Sequence, residues 1–478
     1  MRFLLVLLFL LDGFILFSQS PENNNKSSLP DSTRQTGDVI IRNITFTGNK
    51  ITKERIIRRE ILFKENDTIP VSEIGYYLQQ SRKNLINTSL FNFVTYDSIP
   101  AEGQPGYLDV TLEFIERWYI WPVPILELAD RNFNAWLKKK DWSRINYGFF
   151  LTWNNFRGRR ERLVVYARFG YDEKYELSYQ IPYINRKQTL GLGFSGGWAQ
   201  NHEIAYNSID NKEVYYKSED NYPKKVYFAK AETYFRKSIH NLSLWQLAYF
   251  NQHVTDSVLF YNPDYNFGPD NVNQYFSLFY QFRSDFRDYK QYPMTGYYFD
   301  IEVEKKGFGI FEPSVNTFYI KSNYRQFVQL EGRWYWGTGV TGKMAPLKHQ
   351  PYTYLQGLGY GRDFVRGYEY YVVDGEYYGL WKNNLKFELV PNRVLNFNFI
   401  PTEKFSKLYY AFYLNAYVDM GYVVDNRDID TNPLANRYLM GYGLGLDFVS
   451  YYDFVIRFEY SFNIKGESGF FIHFMPSI

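Results

Sequence analysis

The chain has 478 residues with 10 Trp, 47 Tyr and 42 Phe, 21 % aromatic in all, yet its mean hydropathy is only -0.42. That length suggests more than one domain. A net charge of +3, from 54 basic and 51 acidic residues, offers no polyanion-binding surface and excludes nucleic acid as the expected partner. The absence of cysteine rules out disulfides, zinc-thiolate sites and thiol nucleophiles. The five histidines stand apart with no metal-ligand spacing, so no metal site is expected.

Arg2, an apolar run from Phe3 to Phe17 and then Ser18 to Ser20 read as a secretory signal peptide over 1–19. Residues 20–37 have almost nothing to bury and read as a disordered linker. From Asp38 the pattern changes to strand, helix, helix, strand, strand. Val39 to Thr47 is β-branched and ends in a Gly48-Asn49 turn. Ile56, Ile57 and Leu62, then Ile74, Leu78 and Leu85, are spaced to line the inner faces of two short helices. Leu108, Val110, Leu112 and Phe114 alternate as a half-buried strand does, predicting a three-stranded sheet under two helices over 38–116.

Past Trp118 no apolar run reaches the roughly twenty residues a membrane helix needs. Segments of about ten residues instead alternate apolar and polar positions between Asn, Gly and Asp clusters, the pattern of a membrane β-barrel. Tyr297, Phe299, Ile301 and Val303 alternate with Tyr298, Asp300, Glu302 and Glu304. Phe454 to Phe462 interleaves with Val455, Arg457, Glu459, Ser461 and Asn463 in the same way. The span 117–478 has room for about sixteen strands at roughly 20–25 residues per strand and connection. Alternation places Asn415, Tyr417, Asp419 and Gly421 on one face, and Gly441, Gly443, Gly445 and Asp447 on another inward face, where small residues leave room for something folded inside. The expected fold class is therefore mainly β, a transmembrane antiparallel β-barrel preceded by a small α+β domain.

Several motifs give these elements a family. "VIIRNITFTGNKITKERIIRREI" and "SLFNFVTYDS" resemble a POTRA domain, the polypeptide-transport-associated module. "NNFRGRRE" followed by "ELSYQIPYI", then "DFRDYKQYPMTGYYF", "FVRGYEYY", "AYVDMGYV" and "GYGLGLDF", resemble elements of the BamA/TamA-like superfamily in the order found there. The resemblance implies an outer-membrane barrel in the lipid bilayer with its N-terminal domain in the periplasm. It implies unfolded barrel or secreted polypeptide clients as partners, with periplasmic or lipoprotein accessory subunits, and an insertion or assembly role. A secretion or solute-transport pore of the same superfamily is the alternative. It also implies that Arg366, Gly367 and Tyr368 form the tip of a long sixth loop folded into the lumen. There Arg366 would pair with Asp419, Asp447 or Glu459 beside Gly421, Gly443 and Gly445. Near the end, Gly469, Ile472 and Phe474 fit the pattern by which barrel clients are recognised, and Pro476 should end the last strand near Phe474. No nucleophile, base and orienting group come together, so neither an enzymatic activity nor a cofactor is expected.

Overall fold

The computed structural model describes residues 37–128, 145–311, 315–348, 350–396, 407–427, 430–450 and 454–474. The leader expected over 1–19 and nearly all of the lead-in over 20–37 lie outside the described residues.

The small domain begins with strand β1 (Asp38–Thr47), helix α1 (Glu54–Arg58), strand β2 (Thr68–Pro70) and helix α2 (Val71–Ile86), and closes with β3 (Phe91–Pro100) and β4 (Tyr107–Glu116). The sheet has four strands in the order β2-β1-β4-β3, with β1 and β4 parallel, not the three expected. The extra strand is the three-residue β2, too short to show a period in the sequence. Ile56 and Ile57 are buried on α1 as expected, whereas Leu62 falls beyond its end. Helix α2 starts directly after Pro70 and buries Leu78, Ser81 and Leu85, spaced by three and four residues. Its buried polar residues have partners: Ser81 Oγ accepts the Leu62 N–H at 3.0 Å and Asn84 donates to the Glu60 carbonyl at 3.2 Å. Ile41, Ile57, Leu85, Phe91 and Leu112 are fully buried between the layers. Each such side chain stabilises the domain by about 1.5–3 kcal/mol.

The barrel is one 16-stranded sheet running from Ile120–Leu128 to Ser468–His473, each strand antiparallel to its neighbour. Alternation sorts the side chains. Phe194, Trp245, Leu444 and Phe470 are about half exposed or more on the outer face, while Asp300, Asn323, Asn415 and Ser461 are buried inside. The longest hairpin, Tyr377–Asn396 with Lys407–Val424, exceeds the roughly 9–11 residues that span a bilayer. Its ladder breaks at Val390 and resumes at Arg393, a bulge around Pro391, which has no N–H to donate. The small domain defines the near end of the barrel, and the long connections lie at the far end.

Candidate functional site: the inward loop, the seam and the docked domain

Between strands Trp334–Met344 and Tyr377–Asn396, the sixth far-end connection turns back into the barrel. A short hairpin, Gln356–Leu358 with Val373–Asp374, supports it. Leu358, Val365 and Tyr368 pack with Val423 and Leu439 of the wall. This apolar footing presents Arg366 to the lumen. Gly367 follows at φ +90, in the region glycine enters without a Cβ penalty, and reverses the chain at that point.

Arg366 is completely buried. Its Nε donates to Asp419 Oδ2 at 2.7 Å and its Nη2 to Asp419 Oδ1 at 2.5 Å, a planar two-donor fork on one carboxylate. Nη1 reaches Glu459 Oε1 at 3.3 Å, and the backbone N–H donates to Asp419 Oδ2 at 3.2 Å. The guanidinium lies 3.7 Å from the centre of the Tyr417 ring, whose hydroxyl hydrogen-bonds to Ser461 Oγ at 2.5 Å.

Small residues make room for the loop. A Cβ at Gly441 would sit 1.6 Å from the Arg366 carbonyl oxygen, and one at Gly421 would meet Leu358 and Val365 at 2.7 Å. Gly443 lies under Tyr417 and Gly445 beside Glu459. Asn463 donates to the Gly367 carbonyl at 2.8 Å. Asp419 and Glu459 thus meet Arg366, while Asp447 does not. Asp447 accepts from Tyr292 at 2.7 Å and lies opposite Arg457, because it sits nearer the small-domain end of its strand than Arg366 reaches. Arg457, buried and donating to Glu459 at 2.8 Å, was not singled out from the sequence, although alternation had already placed it on the inward face. The loop also touches the last strand, with the Phe364 and His473 rings 5.5 Å apart and stacked.

Gly469 and Ile472 lie on that last strand, and Phe474 follows its end. Ile472 and Phe474 point outward, 49 % and 68 % exposed. Among the described residues no ladder joins the strand to Ile120–Leu128, so the sheet has a seam. The first strand carries Pro122 and Pro124. As alternate residues they present the same edge, and a strand can spare two N–H donors only on the edge without a partner. The same two prolines disguise this strand in the sequence, and the regular alternation of the barrel begins with the second strand, Ile145–Phe156.

The small domain is docked against the near end. Lys53 donates its N–H to the Gly158 carbonyl at 2.9 Å, Asn155 to Thr52 Oγ1 at 2.8 Å and Asn87 to the Asp288 carbonyl at 2.9 Å. Gly158 has φ +69, and a Cβ there would lie 2.0 Å from the Ile51 carbonyl oxygen, so glycine permits the approach. Glu60, 1 % exposed, is held by Arg236 at 2.5 and 2.8 Å and by Arg160 at 3.3 Å. Burial alone would raise its pKa, but the charge of Arg236, its hydrogen bonds and Arg160 hold it at about 2. Sequence reading assigned these residues no role, since they are separated by 100 or more positions.

The far end is bridged. Asn211, at the tip of the hairpin Glu203–Ile209 with Lys212–Lys217, donates to the Val372 carbonyl at 3.0 Å and to Asn432 at 2.6 Å. Ser208 bonds to Asp374 beside it. Among the described residues no cluster of metal-ligating side chains occurs.

A family model described as POTRA, surface antigen variable number repeat, matches residues 39–117. The outer membrane protein assembly factor BamA of Neorickettsia risticii (strain Illinois) is 31% identical over 93 residues, which is 20% of this chain and 12% of that protein. BamA from Haemophilus ducreyi lacking POTRA domains 1–3 superposes with a TM-score of 0.51 at 16% identity, covering 93% of this chain and 84% of that one. CdiB from Escherichia coli gives 0.52 at 13%, covering 92% and 75%. A sixteen-stranded barrel behind a small domain that matches the POTRA model is thus the fold that this chain shares with those structures.

Proposed function

We propose that the chain is an outer-membrane assembly factor that receives unfolded β-rich polypeptides at its POTRA domain and templates their insertion at the barrel seam. The observation that carries this reading is the seam between Ile120–Leu128 and Ser468–His473, which no ladder bridges among the described residues, with Pro122 and Pro124 removing donors from its edge. A closed ladder would have to break many hydrogen bonds to admit a client strand, whereas an edge short of donors opens cheaply. Strand β3 gives the POTRA domain a second free edge, suited to main-chain pairing with an extended segment. Burial of lipid-facing side chains and backbone pairing drive insertion, so neither nucleotide, cofactor nor enzymatic step is required. The bridged far end and the lumen filled by the sixth loop speak against a permanently open solute pore.

The test uses the absence of native cysteine. Val123→Cys with Ile472→Cys is oxidised in the folded chain and client assembly is followed in reconstituted membranes. The oxidised form should stop assembling clients and recover on reduction, while its band remains heat-modifiable throughout. Full activity with the seam locked would replace the assembly reading with a fixed secretion pore.

A further inference from the structure

The near-neutral total charge conceals an imbalance at the periplasmic mouth. A cavity of about 650 Å³ lies between the POTRA domain and the barrel, lined by seven arginines and lysines against three carboxylates. Those three are already matched: Glu60 by Arg236 and Arg160, Asp285 by Arg287 at 2.8 Å, and Glu161 by Arg157 and Arg159 of its own turn. Arg162, Arg283 and Lys290 line the same cavity without an ion-pair partner among the described residues. Glu60 displays the chemistry this lining accepts, a carboxylate gripped by the Arg236 fork with the Tyr183 hydroxyl alongside.

We propose that this vestibule is a receptor for carboxylate groups of an unfolded polypeptide, held by Arg162, Arg283 and Lys290. The choice of a polypeptide rests on the edge-capture reading above. Residues 87–90 line the cavity and lead straight into β3, whose chain runs away from it. A segment added antiparallel to β3 therefore brings its C-terminal end to the cavity, and with it the terminal carboxylate. Lys290 supports the assignment. Partial desolvation in the cavity and then the charge of Arg160, joined by the smaller effects of Arg283 and Arg236, push its ammonium down to about 8 against the pull of Asp285. A bound carboxylate would relieve that repulsion.

The probe is a short labelled peptide with glutamates near a free C-terminus, compared with its glutamine-substituted, amidated twin, against the full chain in phosphocholine nanodiscs. Wild type should prefer the acidic peptide. The triple variant Arg162→Gln, Arg283→Gln, Lys290→Gln should bind it about tenfold more weakly, as expected for three water-accessible charge contacts, and bind the twin unchanged. If that variant loses its heat-modifiable band, Lys290→Gln alone carries the test, with a loss of about twofold to threefold expected and no loss refuting the site. Equal binding of the twin to wild type, or undiminished acidic binding to the triple variant, overturns the proposal. So does displacement by phosphatidylglycerol micelles at lower concentration than by unlabelled peptide, which assigns the cavity to lipid phosphates. A chain whose locked seam stops assembly but whose vestibule does not discriminate between the peptides refutes this inference and leaves the assembly reading standing.

Discussion

Arg366→Ala removes the one side chain that ties the inward loop to two buried carboxylates, and its cost follows from what remains behind. Breaking a buried ion pair typically costs about 3–5 kcal/mol, because the surviving charge stays desolvated. Glu459 keeps Arg457 at 2.8 Å, so its loss is small. Asp419, fully buried, faces Lys382 directly across the ladder, and that lysine takes over part of the pairing. The expected cost is therefore at the low end, about 3 kcal/mol, including the cation–π contact with Tyr417. That shifts the ratio of docked to undocked loop by about a hundredfold. Chymotrypsin cleavage after Tyr368, 3 % exposed in the docked loop, tracks the undocked population and should accelerate by about that factor. Arg366→Lys should rescue poorly, since one ammonium cannot make the fork on Asp419 and reach Glu459 together. The charge swap Arg366→Asp with Asp419→Arg should recover little, because it sets a new carboxylate beside Glu459. Cleavage of Arg366→Ala at the wild-type rate, with an unchanged heat-modifiable band, would refute the anchor.

Gly441→Ala leaves every charge in place but drives a methyl group to 1.6 Å from the Arg366 carbonyl oxygen. Overpacking against backbone costs about 1–3 kcal/mol, so the same cleavage assay should register undocking by a purely steric route. Glu60→Gln strips the counter-charge from Arg236 and Arg160, weakening POTRA docking by about 3 kcal/mol; spin labels at Tyr76→Cys and Glu331→Cys should report a broader distance distribution. Because the Glu60 pKa is lowered from 4.5 to about 2, its contribution to docking is complete above 4.5 and fades as pH falls from 4.5 toward 2. Wild-type docking should loosen over that window and the Glu60→Gln variant should not respond there.

Local periodicity determined much of this protein from sequence alone. Period-two alternation separates a lipid face from a lumen face whatever the rest of the chain does, so the barrel and the inward Asp419 were legible residue by residue, while the length of 117–478 set the strand number at about sixteen. The two small-domain helices were legible through their apolar spacing. The short β2 and the proline-bearing first strand were not, because three residues show no period and proline reads as a break. The choice among Asp419, Asp447 and Glu459 also lay beyond the sequence. All three face inward, and only the depth to which the sixth loop descends selects two of them for Arg366. The docking of Glu60 on Arg236, 176 positions away, and the cluster of cations beside it that have no ion-pair partner among the described residues were decided by tertiary structure alone. A net charge sums over the chain, whereas electrostatic binding depends on which charges the fold brings within a few ångströms of one another.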